Sequence, residues 1–271
     1  MNVPVQNIIV EYETRVFRGG TVSSVGATSI FLQAVPPPDD WDDARATPAA
    51  LVRARIFDAM TRAVAEKGYA ASTVADVTAR SHVSRRTFYE QFADKEECFL
   101  LTYQAASLAT LARIARATSA LPVEDWRDRL TVALETYVGV LSDDPELAQV
   151  TLIDILGAGP RALAAREEIL QQYTDFYRRL AARACQANGL SPVPDVFLRG
   201  VVGAIAEIVQ QELMAGRVRA LPNLVPTLAR LALIVLGDRS ADTLGASVKP
   251  AASPGEEDGL IDTPGRRPLN R

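Results

Sequence analysis

Arg85 and Arg86 stand side by side in the run Ser84-Arg85-Arg86-Thr87-Phe88-Tyr89-Glu90-Gln91-Phe92. Two guanidinium groups at the start of a short helix offer planar donor forks, the geometry that grips the O6 and N7 acceptors of guanine in a major groove. The hydroxyls of Thr87 and Tyr89, and the ammonium of Lys95 at the next helix start, suit phosphate oxygens, which position a protein without reading sequence. Other chemistries find little support. His82 is the one histidine among 271 residues, and the two cysteines, Cys98 and Cys185, lie 87 apart. That argues against histidine-based triads, clustered His or Cys metal sites and a disulfide scaffold. No candidate catalytic groups fall at a motif spacing, so no enzyme, cofactor or metal is expected.

The elements that must carry these residues are helices. Val52, Ile56, Met60 and Val64 form one i, i+4 row, with Gly68 where a C-terminal cap belongs. Ser72 or Thr73 can cap a short helix ending near Arg80, and Ser81-His82-Val83 makes a turn. Ser84 caps a second short helix to about Phe92, with Val83, Phe88 and Phe92 facing inward. That leaves Arg85, Arg86, Thr87, Tyr89 and Gln91 to solvent. Asp94-Lys95-Glu96-Glu97 is a capping box heading a long helix to about Ser119. Two short helices joined by a three-residue turn have the spacing of a helix-turn-helix.

Later helices are expected from about Val123 to Ser142, Pro145 to Leu156, Pro160 to Ala187, Pro194 to Ala215 and Leu221 to Leu236. Prolines near several starts suit a first turn that needs no amide donor. The class is all-α. Residues 1–48 and 238–271 read as a disordered arm and tail, the arm through its β-like run Ile8–Tyr12 and the Pro36-Pro37-Pro38-Asp39-Asp40 linker.

Charge follows the same division. The chain is 48% hydrophobic and 23% charged with net charge −4, yet residues 49–95 hold 8 basic and 5 acidic side chains. One basic segment in an acidic chain lets a single face meet an anionic polymer. The longest apolar stretches, such as Val201–Ile205 and Leu231–Leu236, fall short of a membrane span of roughly 20 residues. Residues 1–20 lack the basic start and cleavage site of a signal peptide, so a cytoplasmic location without membrane attachment is expected.

The stretch Ile56 to Phe99, "IFDAMTRAVAEKGYAASTVADVTARSHVSRRTFYEQFADKEECF", closely resembles the DNA-binding region of TetR-type transcriptional regulators. Gly68-Tyr69, Thr73-Val74-Ala75-Asp76-Val77, Val83-Ser84, Phe88-Tyr89-x-x-Phe92 and Asp94-Lys95-Glu96 fall at the family's positions. Residues 121–237 resemble its effector domain more loosely, most clearly at Asp144-Pro145-Glu146-Leu147-Ala148 and Gly157-Ala158-Gly159-Pro160. Two departures stand out: His82 occupies a turn position usually held by glycine, and Val64 replaces a common aromatic.

The resemblance implies a three-helix DNA-binding domain over 49–95, then a larger helical effector-binding and dimerisation domain over 96–237. The candidate DNA-contacting set is Thr73, Ser84, Arg85, Arg86, Thr87, Tyr89, Gln91 and Lys95. The candidate ligand pocket takes Tyr103, Trp126, Tyr137, Asp154, Tyr173, Phe176, Tyr177 and Phe197, with Asp154 and Glu207 as interruptions of apolar faces. Val201, Ile205 and Ile208 on one helix and Leu228, Leu231 and Ile234 on another are the candidate dimer face. The implied partners are a double-stranded DNA operator, a second copy of the chain and a small-molecule effector. The expected function is a ligand-responsive repressor on a near-palindromic site; the alternative is a DNA-binding regulator controlled by a protein partner or acting without an effector.

Overall fold

A computed structural model describes residues 30–33, 48–122, 124–188 and 192–236. The run Ile8–Tyr12, the triple proline and the tail beyond 236 lie outside the described residues. Every regular element among the described residues is helical. In chain order they are α1 (Ile30–Gln33), α2 (Pro48–Ala71), α3 (Val74–Ser81), α4 (Arg85–Gln91), α5 (Lys95–Ser119), α6 (Trp126–Asp143) and α7 (Pro145–Leu152). A 3-10 turn (Asp154–Gly157) leads to α8 (Pro160–Asn188) and α9 (Asp195–Met214), and a second (Val218–Leu224) leads to α10 (Val225–Val235).

Local chemistry sets the boundaries. Gly68 at φ 76° kinks α2 before its last residues, a conformation that favours glycine. Thr73 and Asp76 exchange a capping box at the head of α3, and Lys67 reaches Asp76 at 2.6 Å. That Lys67 hydrogen bond, with those from Thr73, holds the Asp76 carboxyl down to about 2. His82 ends α3 in the left-handed region at φ 53°, where the family's usual glycine would sit without strain. Arg55 donates to the Ser81 and His82 carbonyls, placing a cation where the α3 dipole ends. Ser84 caps α4 by accepting from the Thr87 amide, and Asp94 caps α5 by accepting from the Glu97 amide.

Two apolar clusters fill the molecule. The first joins Ile56, Met60, Phe88, Phe92 and Phe99 to Leu147, Val150 and Ile155 of the following segment. The second packs Trp126, Leu130, Leu180, Leu198, Leu221 and Leu228 between α6, α8, α9 and α10. The first cluster also contains Ile30 and Phe31, so part of the expected arm is core. Phe31 is 3% exposed, and its ring lies 5.7 Å from Phe57. Within an arm expected to be mostly disordered, this short helix instead sets Phe31 over Phe57.

Lys95–Ser119 and Val218–Val235 are long and apolar enough to cross a membrane by length and composition, which a search for unbroken apolar runs overlooks. Both pack within the helical body, where Phe99, Ala106, Leu228 and Ala232 are buried.

Candidate functional site

The short helix α4 presents its polar side outward while Phe88 is buried beneath it. Phe88 meets Phe92 at 5.4 Å, and Phe92 meets Phe57 of α2 at 5.8 Å, so an aromatic row anchors α4 to the longer helices. Arg85, Arg86 and Tyr89 are exposed on the outer side. Arg86 donates to Glu90 at 2.9 Å, one turn along. Such an exposed i, i+4 pair contributes only about 0.3–0.5 kcal/mol, so the guanidinium is readily available to another acceptor. Thr73 and Ser84 sit at helix starts with their hydroxyls engaged as caps, and Thr87 shares a 2.9 Å hydrogen bond with Ser84. Gln91 accepts from Arg53 at 3.3 Å.

Lys95 is engaged differently. Its ammonium donates to the Tyr69 carbonyl at 2.8 Å and the Ser72 carbonyl at 3.0 Å, and it lies 4.3 Å from the Tyr69 ring centroid. Those carbonyls belong to the chain between the Gly68 kink and α3. Lys95 therefore ties the start of α5 to that bend, a structural contact that the sequence pattern does not reveal.

Behind the helix-turn-helix lies a cavity of about 70 Å³ between α5, α6, α7, α8 and α9. Five of the expected pocket residues line it: Tyr103, Tyr137, Tyr173, Phe176 and Tyr177. Tyr137 and Tyr173 meet edge to face at 5.8 Å. Burial raises the Tyr137, Tyr173 and Tyr177 phenols well above their ordinary range, and Tyr103 to about 12. These hydroxyls stay protonated at neutral pH and can donate hydrogen bonds.

Three expected pocket residues lie elsewhere. Trp126 fills the second cluster beside Leu130 and Leu221, where a large indole serves packing. Phe197 is 57% exposed on the outside of α9. Asp154 sits on the 3-10 turn with one buried carboxylate oxygen lacking a hydrogen bond, and burial raises its pKa. Glu207 is exposed and accepts from Gln211. The lining residue missed in the sequence is Arg166. Its signal was present: positions 166, 170, 173 and 177 share one face of α8 with Leu170, Tyr173 and Tyr177.

The expected dimer face also needs correction. Val201 and Ile205 are 3% and 5% exposed, and Leu228 is fully buried. They pack inside the chain, and Ile205 lines the cavity. Ile208 and Leu231 are half-buried against the same cluster, while Ile234 is 54% exposed. The apolar groups that α9 does present outward are Val196, Phe197 and Met214. Arg199, Glu207 and Gln211, spaced at multiples of four, mark the exposed side of α9, opposite the buried Val201, Ile205 and Val209. Cys98 is buried, and its thiol is pushed up to about 12 by that burial, a weak nucleophile.

Residues 56–102 match the model for bacterial regulatory proteins of the tetR family. Over that stretch the chain is similar to the tetR-family regulators. No curated protein matches the chain. Among solved structures it is similar to the fatty acid degradation regulator FadR of Bacillus halodurans, at TM-score 0.61 and 20% identity over 66% of this chain and 96% of that one. FadR of Bacillus subtilis, in complex with stearoyl-CoA, has TM-score 0.60 and 18% identity over 66% and 96%. A TetR-like transcriptional regulator from Rhodococcus sp. RHA1 has TM-score 0.52 and 18% identity over 70% and 99%. At these identities the likeness carries the fold. In that fold α4 is the second of two short helices joined by a tight turn, the spacing of a helix-turn-helix.

Proposed function

We propose that this tetR-type protein is a ligand-responsive repressor that binds a near-palindromic DNA operator as a homodimer. Residues 49–95 form the reading head and 96–237 the effector and dimerisation body in this proposal. Arg85 and Arg86 read bases, while Tyr89 and the Thr73, Ser84 and Thr87 hydroxyls meet phosphates, with Gln91 at the edge of the same face.

The observation that carries the ligand-responsive part is the double engagement of α7. On one side Asp144 and Glu146 grip Arg62 of the head, and Gln149 donates to the Ala65 carbonyl. On the other side Leu147, Thr151 and Leu152 line the cavity. A molecule that reshapes the cavity thus acts on an element that also holds the head, and it shifts the population of head positions in proportion to its preference for one of them. The stearoyl-CoA complex of a protein sharing the fold supports a small-molecule effector.

Dimerisation through the outer side of α9, with Ile234 of α10, would cover Val196, Phe197 and Met214. Two-fold symmetry would then set two copies of α4 in successive major grooves. The small cavity volume favours a second reading, a regulator released by a protein partner or acting without an effector.

The deciding measurement is titration of the full chain against the duplex upstream of its own coding region, with a scrambled duplex as control. Sequence-selective binding with two protomers per site is expected. Equal affinity for both duplexes would overturn the operator reading.

A further inference from the structure

We propose that the cavity is a binding site for an organic anion with an apolar body, its negative group held by Arg166. This deepens the ligand-responsive reading and rests on it only for the consequence at DNA.

The lining decides the sign of the charge. Among the cavity-lining residues there is no aspartate or glutamate, and the one ionic side chain is Arg166. Its neighbours along α8 are neutralised: Arg161 pairs with Glu96, Glu167 with Arg199, and Arg178 with Asp175 and Asp195. Arg166 makes no ion pair among the described residues. Arg166 is half-buried at the wall of an apolar cavity and has no counter-ion there, a place that a ligand anion would fill. A cationic ligand would meet that charge with no carboxylate to offset it.

The polar groups around Arg166 extend the argument. Its charge lowers the pKa of the Tyr103 and Tyr137 phenols against the effect of burial, and all three side chains line the cavity. Thr110 and Thr151 give their hydroxyl protons to Ala106 and Leu147 carbonyls of their own helices. The buried phenols keep their protons and can donate to an anion beside the guanidinium, strengthening a charge-assisted contact. The remaining wall is apolar, built from Leu134, Leu141, Ile169, Leu170, Val202 and Ile205. That wall excludes a fully hydrated ion and suits a hydrocarbon or aromatic body.

Size sets the scale. At about 70 Å³ the cavity has room for about five waters, so a short-chain acid fits with little adjustment and a longer body must displace side chains. Because Tyr103 lies on α5 and Arg166 on α8, anion capture engages two helices, the first of which packs against α7.

Calorimetry on the full chain with octanoate, 1-octanol and octylammonium separates charge from hydrocarbon. Octanoate is expected to bind at least about tenfold tighter than 1-octanol, with octylammonium weakest. Arg166→Met should bring octanoate down to the level of 1-octanol, and Arg166→Lys should keep the anion preference. Equal affinities for the three probes, a preference for octylammonium, no binding of any of them, or an Arg166→Met protein that still prefers octanoate would each overturn the proposal. Should Arg166→Met fail to fold, the parent's order of affinities and the Arg166→Lys protein decide it. Octanoate bound through Arg166 but without effect on the DNA titration would sink the ligand-responsive reading and leave the anion site standing.

Discussion

Arg62 grips Asp144 through two parallel hydrogen bonds, Nη1 to Oδ1 at 2.6 Å and Nη2 to Oδ2 at 2.8 Å, across 82 positions of sequence. Asp144 also caps α7 by accepting from the Leu147 amide at 3.0 Å. One carboxylate therefore ends a helix of the body and holds a helix of the head. Asp58 and Glu146 add further carboxylates around the same guanidinium. The Asp144 hydrogen bond, foremost among these contacts, raises the Arg62 pKa despite partial burial. Burial alone would push the Asp144 carboxyl up; the Arg62 and Leu147 hydrogen bonds outweigh it and hold the group below its usual value.

Arg62→Ala is expected to destabilise the fold by about 1–3 kcal/mol, the range for a charge-assisted contact that is only part-buried. It should also weaken the effect of any cavity ligand on DNA binding, because α7 loses its ionic hold on α2. Thermal melts and DNA titrations with and without ligand test both halves. A variant with parental stability and parental ligand response would make the clamp irrelevant.

The same pair sets an acid response. The folded-state pKa of Asp144 lies below its unfolded value. Its contribution is therefore present above the unfolded value near pH 4 and is lost as pH falls through the folded one. Asp76, held at about 2, acts in the same direction at the head of α3. Denaturant titrations from pH 7 to pH 2 should show stability falling below about pH 4, and Asp144→Asn should flatten part of that fall. An unchanged slope in the variant would contradict the assignment.

Arg85→Ala and Arg86→Ala should each weaken operator binding by about 1–3 kcal/mol where they contact bases. Tyr89→Phe should weaken binding to operator and scrambled duplex alike, as loss of a phosphate contact does. Lys95→Ala belongs to a different class: with two backbone carbonyls losing their donor, its main effect should be a lower melting temperature. Parental operator affinity in both arginine variants would remove α4 from the reading role.

What the sequence made legible was local. Thr73, Ser84 and Asp94 are caps whose partners lie three residues away, so their types and spacing announce them. The all-α class and the helix-turn-helix follow from the same short-range signals. The structural role of Lys95 was not legible because its partners, Tyr69 and Ser72, lie 26 and 23 residues back. Arg166 escaped notice because it is one of five arginines on α8, and an arginine on a long helix also suits a solvated face. Val201 and Ile205, chosen for the dimer face by their apolar type, pack inside the chain, while Arg199, Glu207 and Gln211 mark the exposed side of α9.

Phe31→Ala should lower stability by about 3 kcal/mol, near the value for removing a buried phenylalanine side chain. Phe31 covers Phe57, and Phe57 leads through Phe92 to Phe88 of α4. Hydrogen exchange should show lost protection in α4 with little change in α9. Removing residues 1–29 should be tolerated, and removing 1–33 should not. Equal melting temperatures for the two truncations would show that Ile30 and Phe31 contribute nothing to the core.

The last expectation separates the inner and outer sides of α9. Val201→Glu places a carboxylate in a closed core without a partner, which costs several kcal/mol and should unfold the body. Phe197→Glu leaves the core untouched, because the ring is mostly in solvent. If the outer side joins two copies, Phe197→Glu should give a folded monomer at concentrations where the parent sediments as a dimer. Its operator affinity should then fall by orders of magnitude although α4 is unchanged, since two heads no longer bind as one linked unit. Circular dichroism, sedimentation and operator titration on one preparation distinguish the outcomes. A folded dimer with full affinity would move the interface off this side of α9, and a folded monomer with full affinity would refute two-headed binding.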